Sequence, residues 1–311
     1  MMENQTDILL LEGLKVTPQS SVPTFVLLLI IYIFIMVSHL GLVLLIVMER
    51  SLHQPMYLLF CNMSLNDAFG ASTIIPPILI DLFAVATERY ISYAHCVVQA
   101  FCAHFHASTS HTVLMAMTFD RYMAICNPLR YTTVMTHRMV VLLSMVAWGV
   151  SLLLVAILVA LSVRLSRCRR LVSNPFCDNA SLFKLSCDSV LINNIYGLTY
   201  TILLLGSSLG SFLLTYIRIA AVCLSGRNKV LNGRALQTCA SHLVVYAIMF
   251  MSGIIIITLH RFPQLSDQRK LASMLFHVVP PALNAITYGL QIKVVRQKIL
   301  LRFQTKTTPL F

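Results

Sequence analysis

Charged residues are scarce in this sequence, at 11% of 311 residues. Soluble domains average about 25%, so the composition excludes an ordinary soluble domain, and 58% hydrophobic residues exclude a disordered chain. The apolar residues form long runs rather than alternating, which excludes most outer-membrane barrels. Acidic residues are scarcer than basic ones: 11 Asp and Glu against 23 Lys and Arg give a net charge of +12. In so apolar a chain this excess indicates membrane-flanking loops rather than a nucleic-acid surface.

Seven apolar runs are each long enough to cross a bilayer as a helix. We place them at residues 22–48, 56–83, 93–125, 139–163, 190–224, 235–259 and 271–290. The first run is too long for a signal-peptide core, so we interpret it as retained. After the last run, apolar and basic residues alternate at helical spacing, which predicts an amphipathic helix on the inner membrane surface. The sequence therefore predicts an all-α membrane protein with an N-terminal segment (1–21), a seven-helix bundle (22–290) and a cytoplasmic helix and tail (291–311).

The loop charges favour an N-terminus outside and a C-terminus inside. A small majority of the Lys and Arg residues then face the cytoplasm, and the third inner loop and the tail contain no acidic residue. The N-terminus contains Glu3, Asp7 and Glu12, and Asn4 begins a glycosylation acceptor.

The nine cysteines divide by side in the same orientation. Four lie on the outer, oxidising side, namely Cys96, Cys168, Cys177 and Cys187. The other five lie in spans or at the inner face. Four outer cysteines form two disulfides, for which the sequence alone allows three pairings.

Several polar residues lie inside the predicted spans, where they are costly and usually functional. Span two contains Asp67, span three contains three histidines, and span seven contains Asn284. Around them lie distinctive strings: LHQPMY at 52–57 and SLND at 64–67, MAMTFDRYMAICNPLRY at 115–131, RALQTCASHL at 234–243, and PPALNAITY at 280–288.

These strings resemble those of odorant receptors, a family of rhodopsin-like (class A) G-protein-coupled receptors. The resemblance runs from about residue 9 to residue 302, and the segments 176–178, 185–187, 215–218 and 260–262 resemble the fish-type branch. It implies a multi-pass plasma-membrane receptor that binds a small odorant and activates a stimulatory heterotrimeric G protein. It implies no enzymatic activity, no cofactor, no bound metal and no nucleic-acid partner; membrane lipids are the remaining partner.

The resemblance also implies roles for individual residues. Cys96 pairs with Cys177 and Cys168 with Cys187, and Asp120 holds Arg121 in the resting state until activation frees the arginine for the G protein. The implied switch residues are Asp67, Asp120, Arg121, Tyr122, Tyr216, Asn284 and Tyr288. The alternative interpretation of the Asp120–Arg121 pair alone is an interfacial salt bridge that anchors the helix.

Two positions depart from the family pattern. His39 stands where the family has a nearly invariant Asn, and Ala285 replaces the proline of the Asn-Pro-x-x-Tyr pattern. Loss of that proline restores a backbone N–H to the helix. These changes put signalling efficiency in question more than family membership.

A ligand site is predicted near the outer ends of spans three and six. His104 and Arg261 can face one cavity, where they would clamp a small acidic or strongly polar ligand. The remaining predicted lining is Phe105, Ser108, Ile254, Ile257 and Thr258. In the alternative, Arg261 extends to lipid headgroups and His104 is a packing residue.

Other functions were weighed against this one. A transporter is disfavoured because the two halves of the chain show no internal repeat. A metalloenzyme is disfavoured because His104, His106 and His111 do not share one helix face at one-turn spacing. A receptor of this family in a non-olfactory tissue is an open alternative, since expression is not encoded in the chain.

Overall fold

The structure is a computed structural model that describes residues 7–14, 16–84, 89–225, 229–259 and 262–287, with the backbone alone at 229–238, 241 and 263. Within the described ranges, seven long helices form a bundle. They are α1 (Pro18–Met48), α2 (Pro55–Asp81), α3 (Tyr93–Cys126), α5 (His137–Val163), α7 (Leu191–Ser225), α8 (Lys229–Leu259) and α9 (Ser266–Ile286). Two short helices lie in loops, α4 (Pro128–Val134) and α6 (Asn179–Lys184), with 3-10 turns at Arg50–Leu52 and Pro263–Leu265.

One long helix covers each predicted span, so the expectation of a seven-helix bundle is confirmed. Most helix ends lie within four residues of the predicted limits, but α8 and α9 begin five or six residues earlier than expected. Local signals set several starts: Thr17 caps α1, Ser92 caps α3 and Thr136 caps α5 through backbone N–H groups of the first turn. The predicted helix at 291–311 lies outside the described residues.

Four helices in the described part of the chain are long and apolar enough to span a membrane by composition alone, within α1, α5, α7 and α8. Their outward surfaces are apolar: Val37 is 67% exposed on α1 and Leu214 is 71% exposed on α7. Polar residues such as Asp67 and Asn284 are instead fully buried inside the bundle. This arrangement suits a bundle surrounded by lipid. Helices α2, α3 and α9 are less apolar because they supply most of those inward polar residues.

A small sheet covers the outer end of the bundle. Strand β1 (Ile8–Leu11) lies between β2 (Tyr90–Ser92), with which it pairs antiparallel, and β3 (Leu171–Val172), with which it pairs in parallel. Leu9 and Leu11 point inward and pack with Cys96 and Val155 in the outer core. The N-terminal segment therefore joins both outer loops in one layer, a feature that hydropathy does not predict.

The inner half of the bundle has a separate apolar core. Phe60, Met63, Met117 and Phe212 are almost fully buried there, on α2, α3 and α7. The rings of Phe212 and Tyr246 stack with centroids 3.7 Å apart, which joins α7 to α8. The outer cavity and the inner switch described below are thus separated by a packed layer.

Candidate functional site

A cavity of about 330 Å³ lies in the outer half of the bundle. Its walls come from α3, α5, α7, α8 and α9, and residues of the loop that contains α6 line it as well. Apolar side chains such as Leu158, Leu204, Ile256 and Phe276 form much of the lining, together with a few polar groups. Apolar walls with a few placed polar groups are typical of small-molecule sites.

The outer loop over the cavity is fixed to α3 at three points. A disulfide joins Cys96 to Cys177, and the backbone N–H of Cys177 donates to Gln99 Oε1 at 2.8 Å. One turn deeper, the N–H of Asn179 donates to His104 Nε2 at 3.1 Å. Because a ring nitrogen that accepts a hydrogen bond has no proton, His104 holds the loop as a neutral imidazole.

Helix α6 begins at a carboxylate cap. Asp178 Oδ1 accepts from the N–H of Ser181 at 2.7 Å, and Asp178 Oδ2 accepts from Asn174 Nδ2 at 3.0 Å. A six-residue helix is too short to be stable alone. The cap and the attachment of its first residue to His104 therefore determine where α6 lies over the cavity.

Lys184 places a cation beside the cavity, at the end of α6. Burial lowers the pKa of its ammonium group, and the neighbouring Arg269 lowers it further, while Asp178 acts in the opposite direction. Arg269 itself donates to the backbone oxygen of Ser173 at 3.1 Å and to Asn174 Oδ1 at 3.2 Å. Lys184 was not predicted, because in the sequence it is one of many basic residues in a loop.

Two polar atoms on residues of the cavity wall have no hydrogen-bond partner within the described part of the chain, Asn193 Oδ1 and His277 Nε2. Asn193 is 2% exposed and His277 is 6% exposed. The other nitrogen of His277, Nδ1, donates to the oxygen of Ser273 at 2.9 Å. Buried polar atoms normally have partners, so these two are available to a polar ligand or to water.

The predicted ligand residues divide into three groups. His104 and Ile257 line the cavity, whereas Phe105, Ser108, Ile254 and Thr258 are not in its lining. Phe105 turns toward α5 and packs against Trp148 with centroids 5.6 Å apart, and Thr258 bonds its own helix at Ile254 O. Arg261 lies outside the described residues.

At the inner end of α3, Asp120 and Arg121 form an ion pair. Arg121 Nε donates to Asp120 Oδ2 at 2.9 Å, and its Nη2 contacts the same oxygen. Tyr131 of α4 donates to the other oxygen, Oδ1, at 2.9 Å. Asp120 is fully buried, so all of its charge is satisfied by these two partners and not by bulk water. Sequence reasoning predicted the pair and missed Tyr131.

The other predicted switch residues surround this pair or lie deeper. Asp67 accepts from Asn284 Nδ2 at 2.8 Å, which joins α2 to α9. Tyr216 is close to Arg121 and Cys239, and its hydroxyl has no hydrogen-bond partner within the described residues. Tyr122 packs against the inner core. Tyr288 and the predicted glycosylation site, Asn4, lie outside the described residues.

The remaining sequence expectations concern disulfides and the two departures. The structure pairs Cys96 with Cys177 and Cys168 with Cys187, as the resemblance implies. His39 is fully buried and donates from Nε2 to the oxygen of Pro281 at 3.0 Å, so it ties α1 to α9. Ala285 is buried in α9, which continues to Ile286.

Comparison with known proteins identifies the family. A family model for the olfactory receptor matches residues 28–306. The chain belongs to the olfactory receptor family. It is 36% identical to human olfactory receptor 13H1 over 303 residues, and this alignment covers 96% of the chain and 97% of the relative. It is 33% identical over 273 residues to human olfactory receptor 52D1 (86% and 85%) and 32% identical over 301 residues to mouse olfactory receptor 8B3 (96% and 94%).

Family membership confirms several predictions. The receptor is a multi-pass plasma-membrane protein of a G-protein-coupled family that binds odorants, and that family is not one of enzymes. The relatives carry different group numbers at similar identity. Assignment to the fish-type branch therefore stays a prediction.

Proposed function

We propose that the receptor binds a small polar or acidic ligand in its outer cavity and activates a stimulatory, olfactory-type G protein. The observation that carries the ligand class is the Lys184 ammonium on otherwise apolar walls, beside two hydrogen-bond acceptors, Asn193 Oδ1 and His277 Nε2. The ammonium suits a carboxylate, whereas the two acceptors need a donor from the ligand or from water, because a buried acceptor left unpaired costs about 1–3 kcal/mol.

The cationic side chain at the cavity favours an acid. Lys184 lines the cavity. Arg261 follows α8 in the sequence, and on that basis we keep it in the proposal as a second cation. His104 acts differently from the expectation of a clamp, since its Nε2 is occupied by the loop backbone. It supports the site by holding α6 in place, and Lys184 is the better partner for a carboxylate.

Coupling to the G protein follows from the inner ion pair. Breaking the buried Asp120–Arg121 pair is costly unless another partner replaces the lost contacts. A G protein that binds Arg121 supplies those contacts and shifts the equilibrium toward the open form. We further propose that inner-loop cations, such as Arg227 and Lys229, contact anionic lipid headgroups.

A cyclic-AMP reporter assay in cells that express an olfactory-type stimulatory G protein tests the proposal. The probes are straight-chain carboxylic acids with the alcohols and amines of the same length. We expect the acids to activate the receptor, and Lys184→Gln to weaken the response about ten- to a hundredfold, because a hydrogen bond to a charged group is worth about 1.5–3 kcal/mol.

The matched control is Lys184→Arg, which keeps the charge and should retain most of the response at equal surface expression. Selective activation by alcohols or amines, or equal acid responses of the Gln and Arg variants, would contradict the acidic ligand. Activation through an inhibitory rather than a stimulatory G protein would contradict the coupling.

A further inference from the structure

Below the cavity lies a second polar cluster, which does not line it. Asp67 is 1% exposed and lies between two histidines: His39 Nε2 is 3.6 Å from its Oδ2, and His106 Nε2 is 3.6 Å from its Oδ1. Among the described residues, the ion pairs of Asp67 are with these two histidines. A buried carboxylate therefore has imidazoles as its charge partners, and imidazoles are charged only when they bind a proton.

The fold makes a dedicated space for the imidazole of His106. A Cβ atom at Gly70 would lie 2.3 Å from Cδ2 of that ring, so any side chain at position 70 would push the ring away. From the same helix, Asn66 Nδ2 donates to the backbone oxygen of His106 at 3.1 Å. Helix α2 thus holds both the backbone and the ring of His106 against Asp67.

Both histidines beside Asp67 have an unpaired ring nitrogen within the described residues, but His106 has two. Neither of its ring nitrogens has a hydrogen-bond partner within the described residues, although the side chain is 3% exposed. His39 differs, because its Nε2 already donates to the oxygen of Pro281. A rotation of the His106 ring toward Asp67 would bring Nε2 to the length of a charge-assisted hydrogen bond, about 2.8 Å.

The groups that face His106 from neighbouring helices are few. Asp67 faces it from α2, and His277 faces it from α9 with ring centroids 5.7 Å apart. His39 on α1 and Asn284 on α9 contact the far side of Asp67. His104 lies one half-turn away on α3, and it accepts a bond from the outer loop. Among these facing groups Asp67 is the acid, and His277 is a histidine that could take up a proton in place of His106.

We propose that Asp67 and His106 form a proton-binding site, separate from the odorant cavity, that makes the stability of the receptor depend on pH. One proton passes from water to the pair and is held between the imidazole and the carboxylate, with no other reactant. The proton neutralises the charge of a buried carboxylate whose hydrogen-bond donor, Asn284 Nδ2, is itself uncharged. His277 lines the cavity, and its ring centroid lies 5.7 Å from that of His106.

The sign of the effect follows from proton linkage. The folded receptor binds a proton that the unfolded chain releases, so the stabilisation is present at acidic pH and is lost as the pH rises. The unfolded reference is an ordinary histidine, which titrates near pH 6.5. The relevant window therefore extends upward from about pH 6.

The test uses purified receptor in lipid nanodiscs and needs no odorant, so its failure is distinguishable from failure of the proposed function. The apparent thermal midpoint is measured at pH 6 and pH 8. From pH 6 to pH 8, we expect the midpoint of the wild type to fall by roughly 2 °C or more in excess of the fall seen in His106→Gln. His95→Gln changes an exposed histidine of the same helix and should match wild type.

Two further measurements decide the assignment if His106→Gln folds poorly. Gly70→Ala should displace the ring and weaken the pH dependence while leaving both partners in the chain. Infrared difference spectra between the two pH values should show a carboxyl or carboxylate change that Asp67→Asn removes. Equal pH dependence in wild type, His106→Gln and Gly70→Ala would overturn the proposal. So would loss of the dependence in His277→Gln together with its retention in His106→Gln. Absence of an infrared signal from Asp67 would also overturn it.

Discussion

At the scale of single residues, Asp120 shows how a switch is held closed. Its two carboxylate oxygens have different partners: Arg121 takes one, and the hydroxyl of Tyr131 in α4 takes the other at 2.9 Å. Burial, together with the charge of Asp120 and the hydrogen bond to it, raises the pKa of Tyr131 to about 12. The phenol is therefore protonated throughout the physiological range, and the bond to Asp120 is available at every such pH. Deprotonation would weaken it only as the pH approaches about 12.

Tyr131→Phe removes this donor with little change of shape. We expect ligand-independent cyclic-AMP production to rise up to roughly fivefold, because about 1 kcal/mol of closed-state stabilisation is lost. The measurement is basal reporter activity normalised to surface expression. Tyr90→Phe, at an exposed tyrosine on β2, is the control and should leave basal activity unchanged. Unaltered or lower basal activity in Tyr131→Phe would show that the bond does not hold the closed form.

At the scale of elements, the long helices were predictable and the outer loop elements were not. Twenty apolar residues define a membrane span by composition, so seven runs lead directly to seven helices. Strand β1 pairs with residues that are some 80 and 160 positions away, and two- or three-residue strands have no periodicity to detect. Likewise Lys184 and Asn179 reach the cavity only because α6 folds over it. Asp178 was the available signal, as a capping residue before a short helix.

The cap of α6 provides the prediction at this scale. Asp178→Ala removes the acceptor for the N–H of Ser181, which should cost about 1 kcal/mol of local stability. We expect amide hydrogen exchange at residues 179–184 to become about fivefold faster and the response to acids to weaken, since Lys184 and the His104 attachment depend on this helix. Mass spectrometry of exchanged peptides measures the first effect.

Asp178→Asn separates capping from charge, because asparagine caps a helix about as well as aspartate. It should leave exchange in α6 near the wild-type rate. Fast exchange in both variants would assign the order of α6 to the charge of Asp178 instead of its cap.

At the scale of the whole molecule, the outer sheet relates the N-terminus to the disulfides. Strand β1 pairs with β3, and β3 lies inside the loop closed by Cys168 and Cys187. Asp7, just before β1, also forms an ion pair with Arg167 at 3.1 Å. The N-terminal segment and both disulfides therefore lie at the same end of the bundle. Disulfides persist in oxidising compartments, so this end faces outward, which agrees with the orientation expected from loop charges.

Epitope tags test this orientation. A tag before Met1 should be stained on intact cells, and a tag after Phe311 only after permeabilisation, because seven spans place the two ends on opposite sides. Asn4→Gln should abolish the mobility shift that a glycosidase produces, since only a terminus in the secretory lumen is glycosylated. Gln5→Asn, which creates no new acceptor and keeps Asn4-x-Thr6, is the control and should retain the shift. Staining of the C-terminal tag on intact cells would invert the bundle and place Arg121 out of reach of any cytoplasmic partner.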